Sequence, residues 1–426
     1  MQYSDFAKHY QKDSGIFILM KDLDEALNLN PNLFMLGGGN PGFIPEMQEY
    51  FYSLYRELEA NQKTFFEMIG IYDSPLGNQQ FREELAEFFK LYFGWNLSKE
   101  NIAITMGSQN AFYILFNFFS GYNSNIKKSL KVFFPITPEY IGYEDIPLQK
   151  NHSISLLGIP EIINDNFFRY HLDRDKIRNT LENLHQEIGC MAISNPTNPT
   201  GRIFSYQELL FLKECAEKYQ IPVIIDCAYG APFPNIIYKQ QTFVYSDFFI
   251  YSFSLSKSGL PGLRTGILVG NQEIIRLVGK VQSIHFLSPN RIAPYLLKNQ
   301  FRNFEFIHQC RNSITPYYLK KRNLAIELFL NAFNKKQILI HESEGAFFLW
   351  LVFPTLKIET KDLYEILKKK NVIVVPGNYY YPNLSEQNKN SPFYEGNKSI
   401  RLSFSQSDEQ IKKGIEILID TVKEYI

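Results

Sequence analysis

From about residue 100 to residue 257, short apolar runs alternate with amphipathic segments, and this alternation restricts the possible folds most. Residues 108–120 and 205–220 have helical spacing, and the second segment opens with Ser205-x-x-Glu208, a capping-box pattern. Strands separated by helices form βαβ units, so the pattern predicts an α/β fold whose mainly parallel central sheet is flanked by helices. The apolar runs that predict strands are residues 101–105, 131–136, 189–194, 221–225 and 247–253.

The two ends of the chain have a different pattern. A glycine- and proline-rich turn at residues 36–45 follows apolar residues at helical spacing in residues 14–27. A chain of 426 residues is too long for one compact core. We predict three parts: residues 1–45 form an N-terminal arm and part of a small domain, residues 46–300 a large cofactor-binding domain, and residues 301–426 a smaller C-terminal α+β domain.

Composition excludes several classes of function. With 44 basic and 44 acidic residues the net charge is zero, which does not favour nucleic-acid binding. There is no signal segment and no apolar run of membrane-spanning length, so we expect a protein without membrane contact. Four scattered cysteines at positions without metal-ligand spacing predict reduced thiols, no metal site and a cytoplasmic location.

The residues that follow the predicted strands are candidates for a binding site. In an open parallel sheet, ligands bind outside the carboxyl ends of the strands. The first strand leads into a helix start of small residues, which offers free N–H groups and a positive dipole end to an anion. The candidates at this edge are Ser108, Gln109, Tyr140, Asn198, Asp226, Tyr229, Ser254, Ser256, Lys257 and Arg264.

These groups are the ones that pyridoxal 5'-phosphate (PLP) requires. A lysine amine forms a Schiff base with the cofactor aldehyde, and a carboxylate keeps the pyridine nitrogen protonated. Hydroxyls, N–H groups and an arginine suit the phosphate, and an aromatic ring can stack on the cofactor. The sequence therefore predicts PLP as the cofactor and Lys257 as its anchor.

Each residue alone also has a plainer interpretation. Asp226 could cap a helix, the segment NPTNPTG at 195–201 could be only a turn, and Arg401 could be an ion-pair partner on an edge strand. Tyr140 and Tyr143 could both be core aromatics, and we favour only Tyr140 as a cofactor contact. The combination at one sheet edge favours the functional interpretation.

Three segments carry a resemblance to a known family. NPTNPTG, the pair Asp226-x-x-Tyr229 and SLSKSGLPGLRTG at 254–266 resemble the signatures of fold-type I PLP-dependent enzymes of aminotransferase class I/II, over essentially the whole chain. The resemblance implies that Lys257 is the Schiff-base lysine and Asp226 the partner of the pyridine nitrogen. It further implies that Tyr229 and Asn198 bind the ring 3'-oxygen, that Tyr140 stacks on the ring, and that the phosphate is bound by Ser108, Gln109, Ser254, Ser256 and Arg264.

The same resemblance assigns roles to three residues outside the sheet edge. Tyr72 matches a tyrosine that reaches the phosphate of the other subunit, which implies a homodimer with shared active sites. Arg401 matches the arginine that binds the substrate carboxylate bidentately. Gly39 matches a backbone contact to that carboxylate, and Asn198 also belongs to the implied substrate site.

Four longer segments narrow the resemblance. They are similar to the bacterial valine–pyruvate aminotransferases, which implies conversion of valine and pyruvate to 3-methyl-2-oxobutanoate and alanine, in a ping-pong reaction through pyridoxamine phosphate. The small-molecule partners would be amino acids and 2-oxo acids. An aminotransferase of aromatic or broad range and a PLP-dependent β-C–S lyase remain as alternatives. The segments are LGGGNPGFIPEMQEYF (36–51), PEYIGYED (138–145), AYGAPFPNIIY (228–238) and EGAFFLWLVF (344–353).

Overall fold

The computed structural model describes two long stretches of the chain and a few residues near its start. The described residues are 2–4, 7–8, 11, 16–17, 21, 33–149 and 152–426. The helix predicted within residues 14–27 lies mostly outside them. The strands are β1 (Phe34–Met35), β2 (Ile102–Thr105), β3 (Gly121–Asn123), β4 (Lys128–Thr137), β5 (Ser153–Leu157), β6 (Ile159–Ile162), β7 (Phe167–His171), β8 (Ile188–Ser194), β9 (Val223–Asp226), β10 (Phe249–Ser254), β11 (Gly266–Val269), β12 (Leu339–His341), β13 (Phe348–Val352), β14 (Val372–Ile373), β15 (Val375–Pro376) and β16 (Ser399–Ser403).

The helices from residue 33 onward alternate with these strands through the middle of the chain. The capping box predicted at Ser205 and Glu208 is present at the start of α6 and satisfies two N–H groups that would otherwise be unpaired. The helices are α1 (Pro45–Ala60), α2 (Gln62–Gly70), α3 (Gln79–Phe93), α4 (Ser108–Phe119), α5 (Arg174–Leu184), α6 (Tyr206–Tyr219), α7 (Gln272–His285), α8 (Ile292–Leu296), α9 (Glu305–Gln309), α10 (Thr315–Ala332), α11 (Thr360–Lys369), α12 (Glu386–Lys389) and α13 (Asp408–Lys423).

The central sheet has the strand order β2-β11-β10-β9-β8-β4-β3, and β5 also pairs with β4. The pairs β10/β9, β9/β8, β8/β4 and β4/β5 are parallel, whereas β11 runs antiparallel to both of its neighbours. Adjacent residues of β9 point to opposite faces, and Ile224 and Ile225 are buried in two different apolar clusters. Both faces are therefore covered, and the predicted α/β fold with a mainly parallel sheet is confirmed.

A second sheet has the order β15-β16-β13-β12-β7-β6. Its strands β6 and β7 form a hairpin from the middle of the chain, and β7 pairs parallel with β12, where Phe167 lies opposite Ile340. Strand β1 pairs parallel with β14, which brings the N-terminal turn beside this C-terminal unit. The division of the chain at residues 45 and 300 stays a prediction.

Three further properties concern metals, membranes and thiols. All four cysteines are buried and unpaired. Within the described ranges, no cluster of histidine, cysteine or carboxylate side chains has the composition of a metal site. In the same ranges, none of the helices combines the length and the apolar character needed to span a bilayer.

Candidate active site

A cavity of about 220 Å³ lies at the carboxyl edge of the central sheet. Twelve of the thirteen residues predicted for the site line it, because successive parallel strands end at this edge. Six lining residues were not predicted: Ile16, Gly37, Phe112, Ile141, Ser194 and Ala228. The predicted residues that line the cavity are Gly39, Ser108, Gln109, Tyr140, Asn198, Asp226, Tyr229, Ser254, Ser256, Lys257, Arg264 and Arg401.

Tyr72 is the predicted residue that does not reach the cavity of its own chain. It follows α2, and its side chain is 77% exposed. The residues on either side of Tyr72 are held by Arg291, whose Nε donates to Asp73 Oδ2 at 3.0 Å and whose Nη1 donates to the carbonyl of Ile71 at 2.7 Å. An exposed aromatic side chain is thus carried by an anchored loop, and its role in a neighbouring subunit stays a prediction.

Asp226 is the last residue of β9, and its carboxylate points into the cavity. Oδ2 accepts a hydrogen bond from the Tyr143 hydroxyl at 2.8 Å, and Oδ1 accepts one from the backbone N–H of Ala228 at 3.0 Å. Burial raises the pKa of Asp226 to about 6, against the lowering effect of these hydrogen bonds and of Lys257. A cationic N–H group in the cavity would stabilise its ionised form.

Lys257 lies in a short 3-10 turn, Ser256–Ser258, directly after β10. Its Nζ donates to the carbonyl of Gly39 at 2.7 Å and lies 5.7 Å from the centre of the Tyr229 ring. Burial and the positive charges of Arg401 and Arg264 together lower the pKa of Lys257 to about 8, against the raising effect of Asp226. The amine is therefore partly neutral near physiological pH, as a nucleophile or a general base must be.

The start of α4 forms a cradle for an anion. Its N-cap residue is Gly107, with a φ of 86° and no side-chain cap, so the first N–H groups of the helix are not satisfied by a cap. A Cβ on Gly107 would lie 2.4 Å from Arg264 Nη2, which shows how closely the guanidinium approaches the helix start. The hydroxyl residues Ser108 and Ser256 also line the cavity.

Arg401, on β16, is 3% exposed and has no carboxylate partner among the described residues. Its Nη1 donates to Asn198 Oδ1 at 2.9 Å and its Nη2 to the carbonyl of Gly37 at 2.7 Å. Its Cζ lies 4.2 Å from the centre of the Phe348 ring. A buried cation that borders a cavity and has no carboxylate partner is suited to bind an anionic group.

Two side chains that hold the lining residues in place, Tyr143 and Glu139, were not predicted. Tyr143 is buried like a core aromatic and does not line the cavity, yet its hydroxyl donates to Asp226, a role that was not predicted from the sequence. Glu139 is fully buried and accepts hydrogen bonds from the backbone N–H groups of Tyr140 and Ser194. The sequence signal for both residues is the segment PEYIGYED (138–145), in which Glu139 and Tyr143 flank the predicted cofactor contact Tyr140.

Known proteins resemble this chain over nearly its whole length. Residues 52–418 match the family described as aminotransferase class I and II. The valine–pyruvate aminotransferase of Escherichia coli (strain K12) is 36% identical, covering 99% of this chain and 98% of that protein. The crystal structure of valine–pyruvate aminotransferase from Salmonella typhimurium LT2 has a TM-score of 0.84 at 34% identity, with 96% of this chain and 99% of that chain covered.

A second solved structure is still more similar in shape. A protein from Psychrobacter arcticum 273-4, provisionally assigned as an amino-acid aminotransferase, has a TM-score of 0.95 at 36% identity, and 100% of this chain and 99% of that chain are covered. The match to the family and the identity over the full length therefore indicate the same family as the residues of the cavity. The chain belongs to the aminotransferase class I and II family and has the fold-type I architecture of those enzymes.

Proposed function

We propose that this aminotransferase transfers the amino group of valine to pyruvate, giving 3-methyl-2-oxobutanoate and alanine in a ping-pong reaction with PLP as the cofactor. Support for the substrates comes from the relative in Escherichia coli, which is 36% identical over nearly the full length of both chains. The structural observation that carries the proposal is one cavity that contains a partly neutral lysine and a buried arginine without a carboxylate partner among the described residues.

The side chains of the cavity fit PLP. The phosphate would be held at the start of α4 by Ser108, Ser254, Ser256 and Arg264, with further N–H groups from the helix. Asp226 would face the pyridine nitrogen, whose proton would stabilise the ionised carboxylate. When bound, PLP supplies an electron sink for the negative charge that develops on the substrate α-carbon.

In this reaction Lys257 has two roles, as the anchor of the cofactor and as a general base. The amine must be neutral to take a proton from the substrate α-carbon, and the lowered pKa of about 8 provides a neutral fraction near neutral pH. The carbonyl of Gly39, which accepts from Nζ at 2.7 Å, gives the free amine a fixed position at the cavity wall. The same amine would deliver this proton to the bound cofactor within the first half of the reaction, and in the second half it would move a proton in the opposite direction, to the carbon derived from pyruvate.

Arg401 would orient the substrate through its carboxylate. Its Nε has no hydrogen-bond partner among the described residues, so the guanidinium keeps donor capacity for a ligand. Lys257, Arg264 and Arg401 are the cationic side chains among the described lining residues, and the first two serve the cofactor. No further cation in that set would receive a second carboxylate, which favours a donor with a neutral side chain such as valine.

The direct test is a panel of amino donors with pyruvate, with each 2-oxo acid detected by mass. Valine should be among the best donors, and aspartate should be a poor one. Aromatic donors that exceed valine would favour a broad-range aminotransferase, and ammonia with pyruvate from cystathionine would favour the lyase. Either result would overturn the proposed substrates.

The role of Lys257 is tested by Lys257→Ala, which should abolish turnover and the absorbance that is specific to a Schiff base between the lysine and the cofactor. Lys321 provides a matched control, because it is also a buried lysine but pairs with Asp408 at 2.8 Å outside the cavity. Lys321→Ala should lower the melting temperature and leave the absorbance of the cofactor unchanged. Turnover by Lys257→Ala at the wild-type rate would refute the scheme.

We also propose a homodimer in which Tyr72 of each subunit serves the site of the other. Exposed apolar side chains surround it on α2 and the following loop, including Phe66, Ile69 and Ile71, each more than half exposed. The test mixes the inactive variants Tyr72→Ala and Lys257→Ala. Mixed dimers should regain activity at one intact site per dimer, whereas a Tyr72 that acts within its own chain would give no recovery.

A further inference from the structure

Glu139 is a buried carboxylate that the proposed reaction does not use. It follows β4, and its side chain is 0% exposed. Oε1 accepts hydrogen bonds from the backbone N–H of Tyr140 at 2.8 Å and from the Ser194 hydroxyl, and Oε2 accepts from the backbone N–H of Ser194 at 2.9 Å. No ion pair to Glu139 is formed within the described ranges, so these three donors are what compensates its burial.

The contacts of Glu139 are part of a closed circuit, that is, a ring of successive contacts through Ser194, Asn198, Arg401 and Tyr380 beside the cavity. The Ser194 hydroxyl oxygen accepts from the backbone N–H of Asn198 at 3.1 Å, and Asn198 Oδ1 accepts from Arg401 at 2.9 Å. Arg401 Cζ lies 5.4 Å from the centre of the Tyr380 ring. The carbonyl of Tyr380 accepts from the backbone N–H of Glu139 at 2.8 Å, which closes the circuit.

We propose that Glu139 is a positioning residue that sets Tyr140 and Asn198 against the cofactor and couples both of them to Arg401. The inference rests on the proposed function, because Tyr140 and Asn198 matter only if a cofactor lies between them. The ends of β4 and β8 are adjacent in the sheet, and the carboxylate bridges them. Cofactor binding and recognition of the substrate carboxylate would then depend on one buried group.

The geometry requires a carboxylate at this position. All three groups that contact Glu139 are donors, so both of its oxygens must accept. Burial raises the pKa of Glu139 to about 8, and the hydrogen bonds from Ser194 and Tyr140 oppose that increase. These three contacts are therefore those of the ionised form, which becomes dominant as the pH rises through that value. In Glu139→Gln the amide nitrogen would replace one acceptor and would face a backbone N–H, although the size of the side chain is unchanged.

The experiment compares Glu139→Gln with Glu84→Gln. Glu84 is a matched control, since it is 4% exposed and also accepts three backbone N–H bonds, from Asn299, Phe301 and Arg302, away from the cavity. The dissociation constant of PLP from the apoprotein is measured by equilibrium dialysis, and KM and kcat for valine by coupled assay. Glu139→Gln should raise both the dissociation constant and KM on the order of tenfold, the effect of one lost charge-assisted hydrogen bond. Glu84→Gln should lower only the melting temperature.

A second variant, Ser194→Ala, keeps the test decisive if Glu139→Gln does not fold. It removes the hydroxyl link to Asn198 and leaves the backbone N–H of Ser194 paired with Glu139. The dissociation constant of PLP should again rise several-fold, and in the double variant the two effects should be less than additive. Values within twofold of wild type for both variants would overturn the inference and leave the proposed function intact. A wild-type protein that binds no PLP would overturn both.

Discussion

Replacement of Asp226 by asparagine should stabilise the protein without its cofactor and weaken cofactor binding. Burial raises the pKa of this carboxyl from 3.8 to about 6, so the ionised form is destabilised in the folded protein. A difference of about two pKa units corresponds to about 3 kcal/mol. This is an upper limit, because the carboxylate borders the cavity and keeps part of its solvation.

The asparagine side chain also loses a contact. Its one carbonyl oxygen can accept from Tyr143 or from the N–H of Ala228, and the other donor then faces the amide nitrogen, at a cost of about 1–2 kcal/mol. We therefore expect Asp226→Asn apoprotein to be more stable than wild type by about 1–2 kcal/mol at neutral pH. With PLP present the order should reverse, because the charge that would hold the pyridine proton is gone.

The pH dependence of the stability difference between Asp226→Asn and wild type tests whether the raised pKa is its cause. A folded-state pKa above the unfolded value contributes stability that is present below pH 3.8 and is lost as the pH rises through about 6. The advantage of the variant should thus shrink as the pH is lowered and disappear near pH 5. The free energy of unfolding is measured by urea titration of both apoproteins with two spectroscopic probes. Asp165→Asn, at a side chain that is 76% exposed, is the control.

A variant that is less stable than wild type at neutral pH, or an advantage that does not change with pH, would refute this reasoning.

Three other changes test the rest of the site. Arg401→Lys should raise KM for valine on the order of tenfold with a smaller change in kcat, because an ammonium cannot hold Asn198, Gly37 and a carboxylate together; an unchanged KM in steady-state assays would contradict this. Gly107→Ala should weaken PLP binding on the order of tenfold in dialysis, since its Cβ would collide with a guanidinium, whereas Gly94→Ala, also at positive φ but in open space, should cost only about 1 kcal/mol of stability. In stopped-flow measurements the rate at which apoprotein combines with PLP should rise with pH through about 8, because neutral Lys257 reacts, and a flat profile would argue against the lowered pKa.

The sequence allowed the cavity to be predicted because its residues stand at strand ends. Asp226 closes β9 and Lys257 follows β10, and these parallel neighbours end at the same edge. Predicting these residues does not require knowing which strands pair, because the position of a residue directly after a buried apolar run is enough. The central sheet and most of its helices follow from the same alternation.

The remaining features depend on contacts that no local pattern encodes. Tyr143 and Glu139 act through side-chain directions that are fixed only when Asp226 and Ser194 are in place. The antiparallel strand β11 was missed because its four residues follow the lysine turn without a helix before them. The proposed role of Tyr72 requires a second chain, whose position a single sequence does not describe.

The hairpin of β6 and β7 has a consequence for synthesis of the protein on the ribosome. Phe168 and Tyr170 are buried in the second sheet, where β7 pairs with β12 at Ile340. At about 5–20 residues per second, roughly 10–35 s pass between the emergence of β7 and that of its partner strand. During this interval an apolar strand has an open edge, which can pair with another nascent chain. We expect the yield of folded enzyme to depend on translation speed and chaperones more than its final stability would suggest.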